Sequence, residues 1–493
     1  MDATPEAASA SPPASPLISP LTSPLTSPPL PHASSALLAS LAPLLHAWLP
    51  RQRWFAGKGR PVTGFALVSA TELLPLTGSP GLLHLLVRAQ QPSASPQGPG
   101  APPPADCYQL FLGVRRSLPP ALAPALIGRV QEGLLAGYTV YEGLADPKLA
   151  GLLLERLRVP GTLGSLRFDK APDALPPAGL TARPLDAEQS NSSLVYGNSY
   201  ILKIFRRIHP GANPDLELPL ALTHERCVRV PAPVAWFEGA NPEDLFEPFT
   251  LGLLQPFLDG AQDGWQRALD SLSVGWEFAP EARELGQVVA EVHTALAAAL
   301  PTLTLGRPQV AVVADRMTES LETAAQAVPA LLPYAPGLRS AFDAVRKLGG
   351  AGPVVTAQRI HGDLHLGQTL HGRDGEWSVI DFEGEPAKPI TERRHPQPVL
   401  RDVAGMLRSF DYAARMSRPW NPEWADRCRA AFCEGYAAAS GTDPRELPVL
   451  LRAYETDKAV YEVLYEARHR PSWLPVPMAA VRRLANFPST EAR

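Results

Sequence analysis

One short segment constrains the fold more than any other: RIHGDLHLGQTLHGRDGEWSVIDFEGEP, at residues 359–386. Its apolar pieces are only a few residues long and are separated by Gly and Asp, whereas the surrounding sequence is mainly helical in its periodicity. The pattern predicts a loop, a β-hairpin and a second loop set into a helical region. The hairpin would bring Asp381 back beside Asp363, which lies 18 residues earlier.

The polar side chains of these two loops are those that phosphoryl-transfer chemistry uses. Asp363 can accept the proton of an attacking hydroxyl group. Gln368 offers an amide oxygen five residues later, and Asp381 follows an apolar strand that would hold its carboxylate rigidly. Glu383 points the same way if the chain is extended there. Mg²⁺ prefers such oxygen ligands, so we expect Gln368, Asp381 and Glu383 to bind Mg²⁺.

Two histidines in the first loop allow a different interpretation. His361 and His365 have the i, i+4 spacing that can ligate zinc on a helix. Gly362 and Gly367 disfavour a helix here, and this favours a role for His361 in bracing the loop. Zinc is therefore the weaker interpretation.

The order HGD, amide, Asp-x-Glu resembles the catalytic and metal loops of kinases, in the version found in aminoglycoside-phosphotransferase-like kinases. Gln368 stands where that family has Asn, so the amide is retained on a longer side chain. DFE at residues 381–383 stands where protein kinases have DFG. The resemblance implies an α+β, bilobal, protein-kinase-like fold with a mainly helical C-lobe and ATP as co-substrate.

The kinase template also implies a strand lysine that holds the ATP phosphates, and Lys203 in YILKIF fits this position. The turn before this strand contains Gly197-Asn198, a pair that can take positive φ and close a tight hairpin. The template pairs the lysine with an acidic residue on the next helix. We expect Glu217 in this role, with Asp215 as its competitor.

Two more nucleotide contacts follow from the same template. A hairpin should cover the phosphates just before Lys203, and this chain has serines where protein kinases have glycines, so we expect Ser192 and Ser193 to contact phosphate. The hinge between the lobes should lie at Gln255-Pro256-Phe257. Gln255 and Phe257 are therefore expected near the adenine ring.

Further motifs extend the resemblance beyond the kinase core. The motifs are RQRWFAGKGR, NSSLVYGNSYILKIFRR, HGDLHLGQ, DFEGEP, RDVAGMLRSFDYAA and YETDKAVYEVLYEARHRPSWLPVP. Together they are similar to the maltokinase family of actinobacterial type, over nearly the whole chain from about residue 36. The resemblance implies an extra N-terminal cap and a reaction of ATP with maltose that gives maltose 1-phosphate for glycogen and α-glucan synthesis. It also implies a functional link to a trehalose synthase, expected here as a separate protein.

The sugar is expected in the helical lobe. On a predicted helix from about residue 450 to 469, Tyr454, Lys458, Tyr461 and Tyr465 fall on one face, and Glu462 lies on its flank. This face combines flat aromatic surfaces with a polar group, as a sugar site requires. The alternative is that the tyrosines are core residues and that Lys458 is a surface charge.

The motif RDVAGMLRSFDYAA supplies a second set of candidates for sugar binding, Arg408, Asp411 and Tyr412. Asp402 in the same motif resembles the family's structural aspartate that braces the catalytic loop, so we assign it no chemistry. The cap motif contains Arg53, Trp54, Phe55 and Lys58. Trp54 and Phe55 are interpreted as packing residues.

Proline divides the chain into regions, because its 56 residues among 493 are about twice the usual share. We predict four regions: a disordered Pro/Ser-rich leader at 1–34; the cap domain at 35–121, with a Pro-rich insertion at 90–106; the nucleotide-binding N-lobe at 122–258; and the helical C-lobe with the catalytic and sugar sites at 259–493.

Composition excludes several classes of function. The net charge of −4 provides no bulk field for binding nucleic acid or an anionic membrane. No run of about 18 apolar residues predicts a membrane span, and the N-terminus lacks the basic start of a secretory signal. The four cysteines are scattered as ordinary reduced thiols. We therefore expect a cytoplasmic protein that acts on small molecules.

Two rival functions stay open on the sequence. The kinase core is equally compatible with another sugar acceptor, such as glucosamine. A nucleotide-binding pseudokinase or scaffold is a non-enzymatic alternative, and the presence of every required carboxylate argues against it.

Overall fold

The computed structural model describes residues 31–92, 105–185, 190–351, 354–386, 388–417 and 419–486. Most of the predicted leader and most of the Pro-rich insertion lie outside the described residues. The helices are α1 (Pro31–Trp48), α2 (Pro147–Arg158), α3 (Pro214–His224), α4 (Gly264–Val274), α5 (Ala279–Ala299), α6 (Arg307–Ala327), α7 (Ala335–Ala351), α8 (Ile390–Arg393), α9 (Leu400–Met416), α10 (Pro422–Ser440), α11 (Pro448–His469) and α12 (Pro475–Ala485).

The strands form two large sheets and two small ones. They are β1 (Gly64–Leu74), β2 (Gly81–Gln90), β3 (Ala105–Arg115), β4 (Leu126–Arg129), β5 (Thr139–Glu142), β6 (Gly161–Leu163), β7 (Leu166–Lys170), β8 (Ala182–Leu185), β9 (Asn191–Tyr196), β10 (Tyr200–Phe205), β11 (Arg207–Ile208), β12 (Ala235–Gly239), β13 (Phe249–Pro256), β14 (Gln262–Asp263), β15 (Leu303–Leu305), β16 (Val355–Ala357), β17 (Thr369–His371) and β18 (Trp377–Val379).

The first sheet builds the N-terminal cap in the order β1-β2-β3-β5-β4, with α1 packed on it. Strands β2 and β3 pair antiparallel on either side of the Pro-rich insertion and form a hairpin. The sheet extends further than the predicted cap boundary at residue 121, because β4 and β5 follow that boundary. The free edge of β3 pairs with β5, Leu112 opposite Glu142, and this draws the chain up to Glu142 into the cap.

The second sheet forms the N-lobe in the order β6-β7-β12-β13-β10-β9-β8. Gly197 and Asn198 take positive φ angles of 55° and 56° between β9 and β10, as the hairpin prediction requires. Asn213 caps α3 by accepting a hydrogen bond from the amide of Asp215 at 2.9 Å. This cap fixes the start of α3 directly behind Lys203.

A buried polar joint connects the cap to the N-lobe. The side-chain amide of Gln109 on β3 donates to the carbonyls of Phe205, at 2.7 Å, and Leu251, at 2.8 Å. Its carbonyl lies 2.8 Å from Nε2 of buried His84, and its backbone amide donates to the carbonyl of Arg206. Strand β11 also pairs with β3. Because buried polar groups are costly to separate from their partners, the joint holds the two sheets together.

The C-lobe is helical, and it packs around a single large hydrophobic core. Helices α5 and α10 lie in very close contact, since a Cβ atom added to Gly286 would lie 2.1 Å from the carbonyl oxygen of Phe432. The apolar stripe of α5, from Leu285 to Leu296, is buried. Within the described residues no helix combines the length and apolarity needed to cross a membrane. The α+β bilobal fold is confirmed.

Residues 359–386 form a loop, the hairpin β17–β18 and a second loop. Thr369 pairs with Val379, and the strand pair is extended by β14 from the start of the C-lobe. The two loops therefore begin and end at the same edge of this small sheet. The fold thus places Asp363 and Asp381 on facing loops between the lobes.

Candidate active site

The first loop is held by a buried carboxylate from α9. Asp402 accepts hydrogen bonds from the amides of His361, at 2.8 Å, and Gly362, at 2.9 Å, and it also contacts Nε2 of His293 at 3.1 Å. His361 contacts the carbonyl of Ile380 at 2.9 Å and so connects the two loops. Asp402 and His361 therefore have the bracing geometry that the sequence predicted for them.

Asp363 lies at the tip of this loop and is paired with Lys458 from α11. The ammonium of Lys458 is 2.8 Å from Oδ1 of Asp363. Burial opposes ionisation of Asp363, but the charge of Lys458 and its hydrogen bond to the carboxylate outweigh it and lower the pKa of this carboxyl. Asp363 is consequently held as a carboxylate at neutral pH.

The second loop carries an acidic cluster around Lys203. The ammonium of Lys203 lies 2.8 Å from Asp215, 2.6 Å from Asp381 and 2.7 Å from Glu383. Asp381 has a positive φ of 64°, a conformation that Asp tolerates better than most residues and that turns its carboxylate toward the lysine. The amide of Gln368 donates to Asp381 at 3.2 Å.

The carboxylates of this cluster differ in their titration. Burial raises the pKa of Glu383, and the charge of Lys203 only partly opposes this. Burial acts on Asp381 in the same direction, but Lys203, His361 and Gln368 together hold its pKa below the usual range. Asp381 is therefore the more firmly ionised of the two.

The same cluster has the donor set of a divalent cation site. One carboxylate oxygen from each of Asp215, Asp381 and Glu383 lies within 4.8 Å of the others. Magnesium prefers hard oxygen ligands of this kind and usually takes few from the protein. The residues present therefore fit Mg²⁺, and the side-chain carbonyl oxygen of Gln368, beside Asp381, would be a further metal ligand.

A cleft of about 1040 Å³ opens onto both loops. Asp363, Gln368, Asp381 and Glu383 form its floor. Other lining residues come from distant parts of the chain: Arg53–Ala56 of the cap; Arg316, Glu319, Ser320, Thr323 and Ala324 of α6; and Asp457, Val460, Tyr461, Leu464, Tyr465, Arg468 and His469 of α11. The cleft is therefore shared by the cap and both lobes.

Comparison with known proteins agrees with this architecture. The model of the phosphotransferase enzyme family matches residues 180–447, more than half of the chain. The chain belongs to the phosphotransferase enzyme family. A second model, the maltokinase N-terminal cap domain, matches residues 48–146 and ends where the cap sheet ends.

Individual relatives of this phosphotransferase are glucosamine kinases. One from Streptacidiphilus jiangxiensis is 30% identical over 60% of this chain and 71% of its own length. Another, from Mycolicibacterium smegmatis (strain ATCC 700084 / mc(2)155), is 30% identical over 61% of this chain and 79% of its own. A solved glucosamine kinase in complex with glucosamine, ADP and inorganic phosphate shares the fold, with a TM-score of 0.62, 23% identity, and coverage of 90% of this chain and 98% of that one.

The structure brings several of the predicted site residues together. They are Asp363, Gln368, Asp381, Glu383, Lys203, Lys458, Tyr461 and Tyr465. Tyr461 and Tyr465 stack with a centroid separation of 6.1 Å and line the cleft. Lys458 lies behind Asp363 rather than in the cleft itself, in a small cavity that buried Tyr454 also lines.

The predicted pairing of Lys203 with Glu217 is wrong. Asp215 forms the ion pair, because the Asn213 cap starts the helix so that Asp215 faces the β-sheet. Asp215 also accepts a hydrogen bond from the amide of Phe382 at 2.7 Å. Glu217 instead pairs with Arg359 at 2.8 Å, immediately before the first loop. Glu217 therefore contacts the catalytic loop rather than the nucleotide site.

The other predicted nucleotide residues lie away from the cleft walls. Ser192 and Ser193 are inside β9, where Ser192 accepts from Nε of Arg206 at 2.8 Å and Ser193 is buried. Of the serines at 190, 192 and 193, Ser190 lines the cleft, and residues 186–189 lie outside the described residues. Gln255 donates to the carbonyl of Pro231, and Phe257 packs under Arg183 at the inter-lobe connection.

The second set of candidates for sugar binding is not in the cleft. Buried Arg408 pairs with Glu462, at 2.5 Å, and with Asp411, at 3.0 Å. Tyr412 donates to Glu466 at 3.2 Å. These residues join α9 to the side of α11 that faces away from Asp363. The contacts that the structure shows for Arg408, Asp411, Tyr412 and Glu462 join helices, and the sugar-binding role expected for them stays a prediction.

Two features of the cleft were not predicted from the sequence. The cap motif reaches it, since Arg53 and Trp54 form part of the wall while Phe55 is buried against Tyr108. Arg393 also lines the cleft, ten residues beyond Glu383. The only signal for Arg393 was its place in a basic stretch, TERRHP, directly after the metal loop.

Proposed function

We propose that this phosphotransferase is an ATP-dependent sugar kinase and that its acceptor is maltose, phosphorylated on the anomeric hydroxyl group to give maltose 1-phosphate. The observation that carries the proposal is the 2.8 Å ion pair between Lys458 and Asp363. It ties α11 to the transfer centre, and the same helix presents Tyr461 and Tyr465 to the cleft. Flat aromatic faces next to a few polar groups suit the face and hydroxyls of a sugar ring.

The size of the cleft and the nature of the cap favour a disaccharide acceptor. A volume of about 1040 Å³ is at the upper end of the range for a single ligand site, so it offers space for a nucleotide and an extended acceptor together. The cap that forms one wall matches the cap of maltokinases.

The proposed reaction is an in-line transfer. The anomeric oxygen of maltose forms a bond to the γ-phosphorus of ATP, and the bond from that phosphorus to the β–γ bridging oxygen breaks. The hydroxyl proton goes to the carboxylate of Asp363, and ADP leaves with the electron pair of the bridging oxygen. Lys458 keeps Asp363 ionised and fixes its orientation.

The acidic cluster serves the nucleotide in this proposal. Asp381 and Glu383, with Asp215 or the amide of Gln368, would hold Mg²⁺, which neutralises charge on the β- and γ-phosphates when bound. Lys203 lies 2.6–2.8 Å from three carboxylates, and in this proposal it holds the α- and β-phosphates once Mg·ATP enters. The nucleotide roles of Ser192, Ser193, Gln255 and Phe257 remain predictions.

A second acceptor, glucosamine, is favoured by the relatives that carry that name. An amino sugar presents an ammonium group, which needs a carboxylate to compensate its lost hydration. Glu385 is already paired with Arg401 at 2.8 Å. Asp457 lines the cleft one residue before Lys458, so it is the carboxylate that an amino sugar would use.

The test is a panel of sugars with purified protein, ATP and Mg²⁺, scored by sugar-dependent ADP release. We expect kcat/KM for maltose to exceed that for glucosamine by about tenfold or more, a ratio that a shaped pocket readily achieves. The Asp457→Asn variant separates the candidates, because it should weaken turnover of glucosamine and leave that of maltose nearly unchanged. A preference for glucosamine would show that glucosamine, and not maltose, is the acceptor. ADP release that no sugar stimulates would overturn the sugar-kinase proposal.

A further inference from the structure

Arg393, the last residue of α8, lines the cleft together with Asp363, Asp381 and Glu383. Its Nη1 donates to the backbone carbonyl of Glu383 at 2.9 Å, which fixes the base of the guanidinium beside the metal loop. Its side chain also packs on Gly384, since a Cβ atom there would lie 3.4 Å from Cδ of Arg393. The guanidinium is therefore held in place by the loop that carries the acidic cluster.

The rest of this guanidinium lacks partners within the described part of the chain. Its Nε is buried and has no hydrogen-bond acceptor, and no described carboxylate forms an ion pair with it. A buried donor without an acceptor costs about 1–3 kcal/mol, and more when it is charged. Buried polar atoms without partners are uncommon enough in folded proteins that each one calls for an explanation.

The other partly buried cations of this region differ from Arg393. Lys203 is paired with three carboxylates, Lys458 with Asp363, and Lys388 with Glu392 at 3.1 Å. Among these four cations, Arg393 alone has no carboxylate partner.

We propose that Arg393 is a catalytic residue that binds the oxygens of the transferring γ-phosphoryl group. The proposal rests on the proposed kinase function and adds a residue to it. A guanidinium offers several N–H donors in a planar fork that matches phosphate oxygens, and such a group stabilises the charge that spreads over these oxygens during transfer. Arg393 stays protonated throughout and takes no part in the proton transfer to Asp363.

The position of Arg393 suits this role because the residue contacts both the metal loop and the cleft. One end is anchored on the Glu383 carbonyl, so the group moves with the metal loop. Arg393 also lines the cleft that Asp363 and Asp381 share. A phosphoryl group in transit between these two carboxylates would supply acceptors for the N–H groups of the guanidinium that reach the cleft.

The test compares Arg393→Ala and Arg393→Lys with a matched control, Arg394→Ala, which removes the neighbouring arginine of the same segment. Arg394 packs on Gly211 and lies 3.9 Å from Glu247, outside the cleft wall. We expect kcat of Arg393→Ala to fall about 10²- to 10³-fold, the usual effect of removing one preorganised donor to transition-state charge. The KM for the sugar should change by less than about threefold, and Arg394→Ala should resemble the wild type.

Nucleotide binding separates a catalytic role from a structural one. Affinity for Mg·ADP should stay nearly unchanged in Arg393→Ala, whereas affinity for Mg·ADP with aluminium fluoride, which imitates the phosphoryl group in transit, should fall with kcat. An equal loss of affinity for both would mean that Arg393 only braces the Glu383 loop, and it would overturn the proposal. Turnover within about threefold of wild type would do the same.

Failure of the proposed function can be recognised separately. If the wild-type protein phosphorylates no sugar, the sugar-kinase proposal fails. The Arg393 variants are then compared by ATP hydrolysis without acceptor and by binding of the aluminium fluoride complex. A variant that does not fold is replaced by Arg393→Gln, which keeps most of the volume and can still donate to the Glu383 carbonyl.

Discussion

Two clusters of charged side chains lie on opposite sides of α11, and they differ in the balance of their charges. Around Asp363 and Asp381, carboxylates share few cations: a single lysine, Lys203, contacts three of them. Around Arg408, several guanidinium groups surround the carboxylates: Glu462 pairs with Arg408, Glu455 with Arg429, and Asp411 contacts Arg408, Arg429 and Arg483. The first cluster opens into the cleft, whereas the second lies outside it, between helices, and its residues Arg408 and Asp411 border a separate cavity of about 380 Å³.

This contrast explains why similar motifs have different roles. A surplus of carboxylates at a cleft can hold a cation or accept a proton, as phosphoryl transfer requires. A buried network in which each charge has an opposite partner joins helices instead. The charge balance of a cluster, rather than the presence of charged residues in a motif, therefore indicates chemistry here.

The largest expected effect is on turnover at the first cluster. Asp363→Asn keeps the shape of the side chain but removes the proton acceptor, so kcat should fall by about 10²- to 10⁴-fold. The melting temperature should stay close to that of wild type, and ATP binding should persist. Near-normal turnover in a well-folded variant would show that the open cluster is not the transfer centre.

The second expected effect is a loss of stability at the cluster around Arg408. Arg408→Met leaves Glu462 buried without its partner, and breaking a buried pair in this way costs about 3–5 kcal/mol. The matched control is Arg483→Met, which removes a half-exposed partner of the same Asp411 and should cost less than about 1 kcal/mol. Denaturant unfolding measures both values.

If Arg408→Met kept full stability but raised the KM for sugar, the structural role of the Arg408 cluster would be contradicted. Residual folded protein of this variant should have wild-type affinity for ATP and for sugar, because Arg408 is only 1% exposed and does not line the cleft.

The third prediction concerns Lys458, which lies behind Asp363. Lys458→Ala removes a charged hydrogen bond to the base, and such a bond is worth about 1.5–3 kcal/mol, or roughly ten- to a hundredfold. We expect this loss mainly in kcat, because Lys458 orients Asp363 and is not on the cleft wall. A change confined to the KM for sugar would instead return Lys458 to the sugar-binding role that the sequence suggested.

The pH profile provides an independent measurement on the same variant. Lys458 lowers the pKa of Asp363, so the wild-type enzyme should keep its carboxylate, and its activity, to lower pH than an ordinary aspartate allows. Removing the lysine charge raises this pKa, and the acid limb of kcat/KM should therefore move to higher pH. A limb that does not move would contradict the coupling of Lys458 to Asp363.

The smallest effect is expected at the aromatic wall. Tyr465 is 38% exposed and stacks on Tyr461 at the cleft. Tyr465→Ala should raise the KM for maltose by about three- to tenfold and leave kcat nearly unchanged, since partial burial of a ring contributes about 1 kcal/mol. Unchanged KM would mean that the sugar lies elsewhere in the cleft.

The sequence was informative where chemistry depends on local order. Asp363, Gln368, Asp381 and Glu383 lie on one hairpin and its flanking loops, so their spacing alone predicted that they would meet. The hairpin around Gly197 was likewise local, because turn preferences act over a few residues.

Residues whose roles depend on tertiary contacts were less predictable. Asp215 and Glu217 lie in the same first turn of α3, and only packing against the sheet decides which of them faces Lys203. The cap boundary depended on pairing of β5 with the distant β3 edge. Arg408 belongs to a family motif, but helical periodicity does not predict that its side chain is buried between α9 and α11.

The most direct test of the account is ³¹P NMR of the product formed from ATP and maltose by the purified protein with Mg²⁺. A phosphate on the anomeric oxygen has one neighbouring proton, so the account predicts a phosphomonoester doublet that appears as ADP forms and that is absent with Asp363→Asn. A triplet from a primary hydroxyl group, or release of inorganic phosphate alone, would contradict it.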